Sequence, residues 1–209
     1  MHFSPDDDTQ AFLRGLRQMV DDLGGRALAR RTMADRQTCG VSPELWTLLG
    51  EVGVFGLSVS EDDGGQGGGW YEACLALEVL SKSLVDGPVW AHLTAVDAVA
   101  RVGSAAQRER WICGLLDGST RAALWLPGTT ATVPFGEGAD VLVEVRGEDL
   151  RVVTKQPDGT FDGFQSTETM DPTWLSLCAG PSTLCAGQSG SEPSDATGAA
   201  ESETHDRAV

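Results

Sequence analysis

The sequence predicts an α+β protein, with an all-α helical bundle through residue 118 followed by a short β-rich stretch to about residue 179. Two observations carry that prediction. Before Gly118, apolar residues recur at three-to-four spacing in five segments, which is the period of amphipathic helices. After Gly118 the pattern changes to short extended runs, two of them separated by the turn Arg146-Gly147-Glu148. Residues 180–209 differ again: they hold no aromatic residue and a single basic one, Arg207. Such a composition cannot bury enough apolar surface to offset its ordering entropy, so the sequence predicts a disordered tail there.

The first helix is expected from about Asp7 to Ala34, with Phe12, Leu13, Leu16, Met19, Val20, Leu23, Ala27 and Leu28 on one face. Asp6, Asp7 and Asp8 lie at its start and Arg26, Arg30 and Arg31 near its end, as the helix dipole favours; Gly24-Gly25 is where it can break in two. Ser42-Pro43-Glu44 opens the second helix, with Ser42 as N-cap and Pro43 at the first helical position. Its apolar side is Leu45, Trp46, Leu48, Leu49 and Val52, and Gly53 ends it. A glycine-rich loop, Gly64 to Gly69, precedes a third helix from Trp70 to about Leu84. A fourth starts near Pro88 and a fifth covers Ala105 to Leu116. Short connections between five amphipathic helices imply a bundle. Strands are expected at Arg121–Leu126, Asp140–Val145 and Asp149–Val153, with further extended segments in 161–170 and 173–177.

Fifteen Lys and Arg against thirty-one Asp and Glu give a net charge of −16, which argues against nucleic acid or an anionic membrane surface as partner. No apolar run approaches the roughly 18 residues of a membrane span, and no signal peptide is visible, so a cytoplasmic, reducing setting is expected. The cysteines, Cys39, Cys74, Cys113, Cys178 and Cys185, are odd in number and lack C-x-x-C spacing, which speaks against a disulfide framework or a zinc site. Cys74 and Cys113 fall in apolar helical patterns and are expected as small buried hydrophobes.

Chemistry is harder to find. The Gly64–Gly69 cluster lacks the Lys-Ser or Lys-Thr of a phosphate loop, and Trp70 stands where a final glycine would belong. A flexible turn is the expectation. His92, beside Trp90 and Leu93, has no second ligand at metal spacing and reads as a structural or surface histidine. Gly187-Gln188-Ser189-Gly190-Ser191 misses the nucleophile elbow by one residue and lies in no strand–turn–helix context. Glu72 and Glu78 read as the solvent side of an amphipathic helix. Composition and periodicity by themselves stop at an acidic α+β protein with no catalytic constellation.

The order of several motifs goes further. Trp46-x-x-Leu49-x-Glu51-Val52-Gly53-Val54-Phe55-Gly56-Leu57, then Ser58 through Gly67, then Leu77-Glu78-Val79-Leu80, and then Gly103-Ser104 through Gly118 follow one another at fixed spacing. In that order they resemble the N-terminal domain of acyl-CoA dehydrogenases. Asp140-Val141-Leu142-Val143 and Met170-Asp171-Pro172-Thr173 resemble later signals of the family's middle domain, and the resemblance runs over about residues 5 to 180. It implies an N-terminal helical domain over 1–118, an incomplete β-barrel-like middle domain over 119–179, and FAD as cofactor. Ala123-Leu124-Trp125-Leu126-Pro127-Gly128 falls on the family strand Ala-Leu-Thr-Glu-Pro-Gly, whose backbone and hydroxyl approach the flavin. Trp125 stands in place of the Thr and Leu126 in place of the Glu, which leaves the backbone of Leu124, Trp125 and Leu126 as the implied flavin contacts.

By the same resemblance the reaction is FAD-dependent α,β-dehydrogenation of an acyl-CoA thioester. The base and much of the FAD site belong to C-terminal helices that no segment here resembles. The implied roles are a partner subunit in a homo- or hetro-oligomer with another acyl-CoA dehydrogenase-like chain, or a truncated form, either inactive in isolation. The alternative is a non-catalytic remnant or interaction module without flavin.

Overall fold

Asp6 starts the first helix, α1 (Asp7–Asp22), by accepting the Thr9 N–H on Oδ1 at 2.7 Å. The computed structural model describes residues 4–33, 41–83, 85, 88–127, 132–167 and 176–179. Gly24 (φ 111°) and Gly25 (φ 49°) then take left-handed backbone, and α2 (Gly25–Met33) follows as a separate helix. The one long helix expected here is therefore two, and the described residues hold six helices. Ser42 caps α3 (Pro43–Glu51), its Oγ taking the Leu45 N–H at 3.1 Å, and left-handed Gly53 ends it. Two short 3-10 turns, Val54–Gly56 and Glu61–Asp63, lead to α4 (Trp70–Lys82). Then come α5 (Val89–Val102) and α6 (Ala105–Leu116), the latter opened by a reciprocal capping box between Ser104 and Gln107.

The loop expected to be flexible is pinned. Backbone bonds run from the Gly65 N–H to the Ser60 carbonyl, from Gln66 to Gly56, from Gly67 to Val59 and from Gly69 to Leu57. The glycines let this segment fold flat onto the preceding turn: a Cβ on Gly65 would lie 2.3 Å from the Val59 carbonyl oxygen.

Two three-stranded sheets follow. The first has the order β1 (Ala122–Trp125), β3 (Val141–Arg146), β4 (Asp149–Thr154); the second has β2 (Thr132–Val133), β6 (Ser176–Ala179), β5 (Phe164–Thr167). β1 pairs parallel with β3, placing Trp125 opposite Glu144, and β3 pairs antiparallel with β4 through the turn at Gly147. Strand alternation divides the first sheet's side chains cleanly. Ala122, Val141 and Val143 face Ala95, Val96 and Val99 of α5 and Leu115 of α6. Ala123, Trp125 and Leu142 face the other way, toward Val133, Ala139 and Phe161. A separate helical core centres on Val20, Leu45, Leu49, Phe55, Leu80 and Leu93. The extended character expected in 161–170 and 173–177 is met at β5 and β6; the intervening residues and 180–209, including the tail expected to be disordered, lie outside the described residues.

Cys74 and Cys113 correct the sequence reading: both are exposed free thiols. On α4 the buried side chains are Ala73, Ala76, Val79 and Leu80, and on α6 Ile112 and Leu115. Each cysteine directly follows one of these inward residues, which rotates it about 100° around the helix. Likewise Val52, Tyr71 and Trp90 are exposed although they lie in apolar runs.

Gly50 sits inside α3 against the C-terminal end of α6, where an added Cβ would lie 2.2 Å from the Asp117 carbonyl oxygen. Helix propensity alone favours Gly50→Ala by about 1 kcal/mol. The overlap is with backbone and costs about 2–3 kcal/mol. We therefore expect Gly50→Ala to destabilise the chain by about 1–2 kcal/mol in urea unfolding; a gain in stability would show that Asp117 moves aside freely.

Candidate functional site

Among the described residues, the most deeply buried polar side chains, His92 and Glu144, mark two places: the joint between the helices and the first sheet, and the end of β1. The joint is built on His92 in α5, which is 0% exposed. Its ring packs against both Trp46 and Phe55, with centroids 5.0 Å and 4.5 Å away in edge-on arrangements. Nε2 lies 2.8 Å from the Leu115 carbonyl and Nδ1 lies 3.0 Å from the Ala122 backbone nitrogen. A carbonyl only accepts and a backbone N–H only donates, so the partners assign the tautomer: Nε2 carries the proton and Nδ1 accepts. Burial holds the imidazole down to about 4, and the nearby Arg121 charge pushes the same way. At neutral pH His92 is uncharged and both ring nitrogens are engaged. It joins α5 to the end of α6 and the start of β1, and proton transfer to a substrate is closed to it.

The segment between those two bonds is clasped from other sides as well. Trp46 donates its indole N–H to the Gly118 carbonyl at 2.8 Å, and the Arg121 guanidinium carbon stands 4.6 Å from the Trp46 ring centroid. The Arg121 N–H in turn donates to the Asp140 Oδ2 at 2.8 Å. The structural reading of His92 is thus met in a specific form, and the sequence carried only a faint trace of it in the neighbouring aromatics.

At the end of β1 the three residues singled out for flavin diverge. Leu124 points, half-buried, toward the α5–α6 side, and Leu126 is 39% exposed. Trp125 is 1% exposed and points into the space between the sheets. Phe164 meets its ring edge-on at 4.9 Å between centroids, and the Arg146 guanidinium carbon stands 6.0 Å from it. Arg146 also pairs with Glu144, the residue opposite Trp125, which is 3% exposed and has Arg151 3.9 Å from its other oxygen. This buried Glu144 group escaped the sequence reading, although a charge following the apolar run Val141–Val143, with Arg146 two residues on, was its available signal. Phe135, fully buried, holds the left-handed backbone (φ 58°) that disfavours large side chains, and it packs edge-on against Trp90 at 6.0 Å.

The hollow beside the glycine loop does not suit an anion. A cavity of about 340 Å³ beside the glycine loop is lined by Glu51, Asp63 and Asp117, carboxylates that oppose a phosphate. Among the described residues no group of three His, Cys, Asp or Glu is placed to hold a metal ion. No helix among them is long and apolar enough to cross a membrane.

Comparison with known proteins agrees with this architecture. The family model for the acyl-CoA dehydrogenase N-terminal domain matches residues 7–119. Acyl-CoA dehydrogenase IpdE2 of Mycolicibacterium smegmatis is 34% identical over 127 residues, which cover 59% of this chain and 39% of that protein. IpdE2 of Mycobacterium tuberculosis is 29% identical over 171 residues, covering 81% of this chain and 50% of its own length. In structure, the ChsE4–ChsE5 complex of Mycobacterium tuberculosis superposes with a TM-score of 0.69 at 20% identity, over 86% of this chain and 56% of that one. Butyryl-CoA dehydrogenase of Megasphaera elsdenii does so with a TM-score of 0.57 at 22% identity, over 86% and 57%. The chain thus spans about half the length, or less, of the curated relatives it matches. With the family's N-terminal domain matched across more than half its residues, this chain belongs to the acyl-CoA dehydrogenase family.

Proposed function

We propose that this chain acts as a partner subunit, or as a truncated form, in an acyl-CoA dehydrogenase-type assembly that carries out FAD-dependent α,β-dehydrogenation of an acyl-CoA thioester. The observation that carries this reading is the family-matched N-terminal domain over residues 7–119. Among the described residues His92 is locked neutral between Leu115 and Ala122, and Glu144 has an arginine at each oxygen. The structural likeness to the ChsE4–ChsE5 complex, a protein of two unlike components, supports an oligomeric partner of the same family. Free thiols at Cys74 and Cys113 suit a reducing, cytoplasmic setting.

FAD has a poor fit to this chain's own side chains. Of the three residues at the end of β1, Leu124 and Leu126 carry no hydrogen-bonding side-chain group, and the Trp125 indole is enclosed by the chain itself. Backbone groups of β1, an edge strand, are what remains to it. A second reading, an interaction module that binds no flavin, is favoured by the same enclosed indole.

The test is reconstitution. The chain is purified alone and with acyl-CoA dehydrogenase-like partner subunits, then examined for flavin absorbance and for acyl-CoA oxidation with an artificial electron acceptor. We expect no turnover from the chain alone and both signals from the correct pair. Absence of FAD from every preparation would leave only the interaction module standing, and turnover by the isolated chain would refute the need for a partner.

A further inference from the structure

By the family resemblance, one position of β1 falls where the family strand carries a threonine whose hydroxyl approaches the flavin ring. In this chain the position is Trp125, the largest of the fully buried side chains among the described residues. A buried aromatic of this size covers on the order of 200 Å², several times what a threonine tip can reach. The indole is not aimed at an open cleft. Phe164 lies across its edge at 4.9 Å; Val133, Leu142 and Phe161 belong to the same buried cluster.

The indole is also held in place. Arg146 stands over its ring and is anchored through Glu144, which faces Trp125 across the β1–β3 pairing. That pairing fixes the backbone of the strand, so the ring cannot be withdrawn by sliding β1. A fused-ring side chain therefore fills the side of β1 that faces the second sheet. Leu126, next along, contributes an exposed aliphatic surface where the family pattern has a carboxylate.

We propose that Trp125 closes this chain's own flavin-facing slot, so that β1 enters the assembly as a flavin-free wall and the cofactor ring belongs to the partner chain. This rests on the assembly reading above only in its second half; closure of the slot is a property of this chain alone. Trp125→Thr, which restores the side chain of the family pattern, should open it.

Lumiflavin, the bare ring system, tests closure without needing any other part of an FAD site. Amide signals of Ala123, Leu124 and residue 125 are followed by NMR as lumiflavin is added to the full chain. We expect no shift in the wild type and saturable shifts in Trp125→Thr. Shifts in the wild type would overturn the proposal, and silence from both proteins would overturn it too, because removing the indole would then have opened nothing. Should Trp125→Thr fail to fold, Trp125→Val keeps a β-favouring side chain and serves in its place. In the reconstituted pair, an azido-flavin photolabel should mark the partner alone. Labelling at residues 123–126 of this chain would overturn the closed slot while leaving the assembly reading intact. A pair without any FAD would overturn the assembly reading, with closure still decided by lumiflavin.

Discussion

At pH 7 a His92→Leu chain should be less stable than wild type by about 2–4 kcal/mol, and the difference should shrink as the pH falls toward 4. The first part follows from two orphaned partners. Leucine fills much of the ring's volume but leaves the Leu115 carbonyl and the Ala122 N–H buried without their bonds, at about 1–3 kcal/mol each, partly offset by the added apolar surface. The second part follows from linkage. His92 is held at about 4 in the folded chain against 6.5 in its ordinary state, so between those values the unfolded chain binds the additional proton. Stability from this group is complete above about pH 6.5 and is lost progressively as the pH drops to about 4, an effect of about 3 kcal/mol. Urea unfolding of both proteins at pH 7, 5.5 and 4 measures it. A gap that stays constant over that range would mean that His92 takes up its proton equally in the folded and unfolded chain, and the depressed value of the buried ring would fall.

Gly118→Ala should cost about 2–5 kcal/mol, because two penalties act at one atom. Gly118 has φ 75°, a backbone conformation that costs an L-residue about 1–2 kcal/mol. The new Cβ would also stand 2.7 Å from Phe55 Cε2 and 2.9 Å from Trp46 Nε1, the nitrogen that donates to the Gly118 carbonyl. Overpacking of that kind costs about 1–3 kcal/mol, and here it displaces a buried hydrogen bond as well. Thermal and urea unfolding should both report the loss. A stability within about 0.5 kcal/mol of wild type would show that the Trp46–Phe55 pair can yield, contrary to its burial.

Much of the helical part was legible because its signals are local. Ser42-Pro43 marks a start, Gly53 and Gly118 mark stops, and Ser104 with Gln107 forms the capping box three residues apart. Gly24-Gly25 was visible as a weak point, but whether a helix continues through it depends on backbone angles that no spacing encodes. Faces were read less well than elements. Cys74, Cys113 and Trp90 lie in apolar runs, and an apolar run shows that a segment has an inside without assigning each residue to it. The parallel register of β1 on β3, which brings Trp125 and Glu144 together, joins residues far apart in sequence and leaves no periodic trace. The same holds for His92, whose partners lie 23 and 30 residues away. The end of β1 was found only through family resemblance, and resemblance names a position without saying which way its side chain points.

The clasp around Gly118 and Ala122 bears on how such chains can be inherited in pieces. The family match ends at residue 119, between the carbonyl that accepts the Trp46 indole hydrogen bond and the N–H that donates to His92. A gene rearrangement joining a foreign β-domain at that border would keep every residue of the recognised domain yet remove the guanidinium over Trp46 and the apolar face of Ala122 and Val141 that α5 covers. The unit that homology recognises and the unit that folds have different edges here, and only exchanges that carry the first strand along with the helices preserve both.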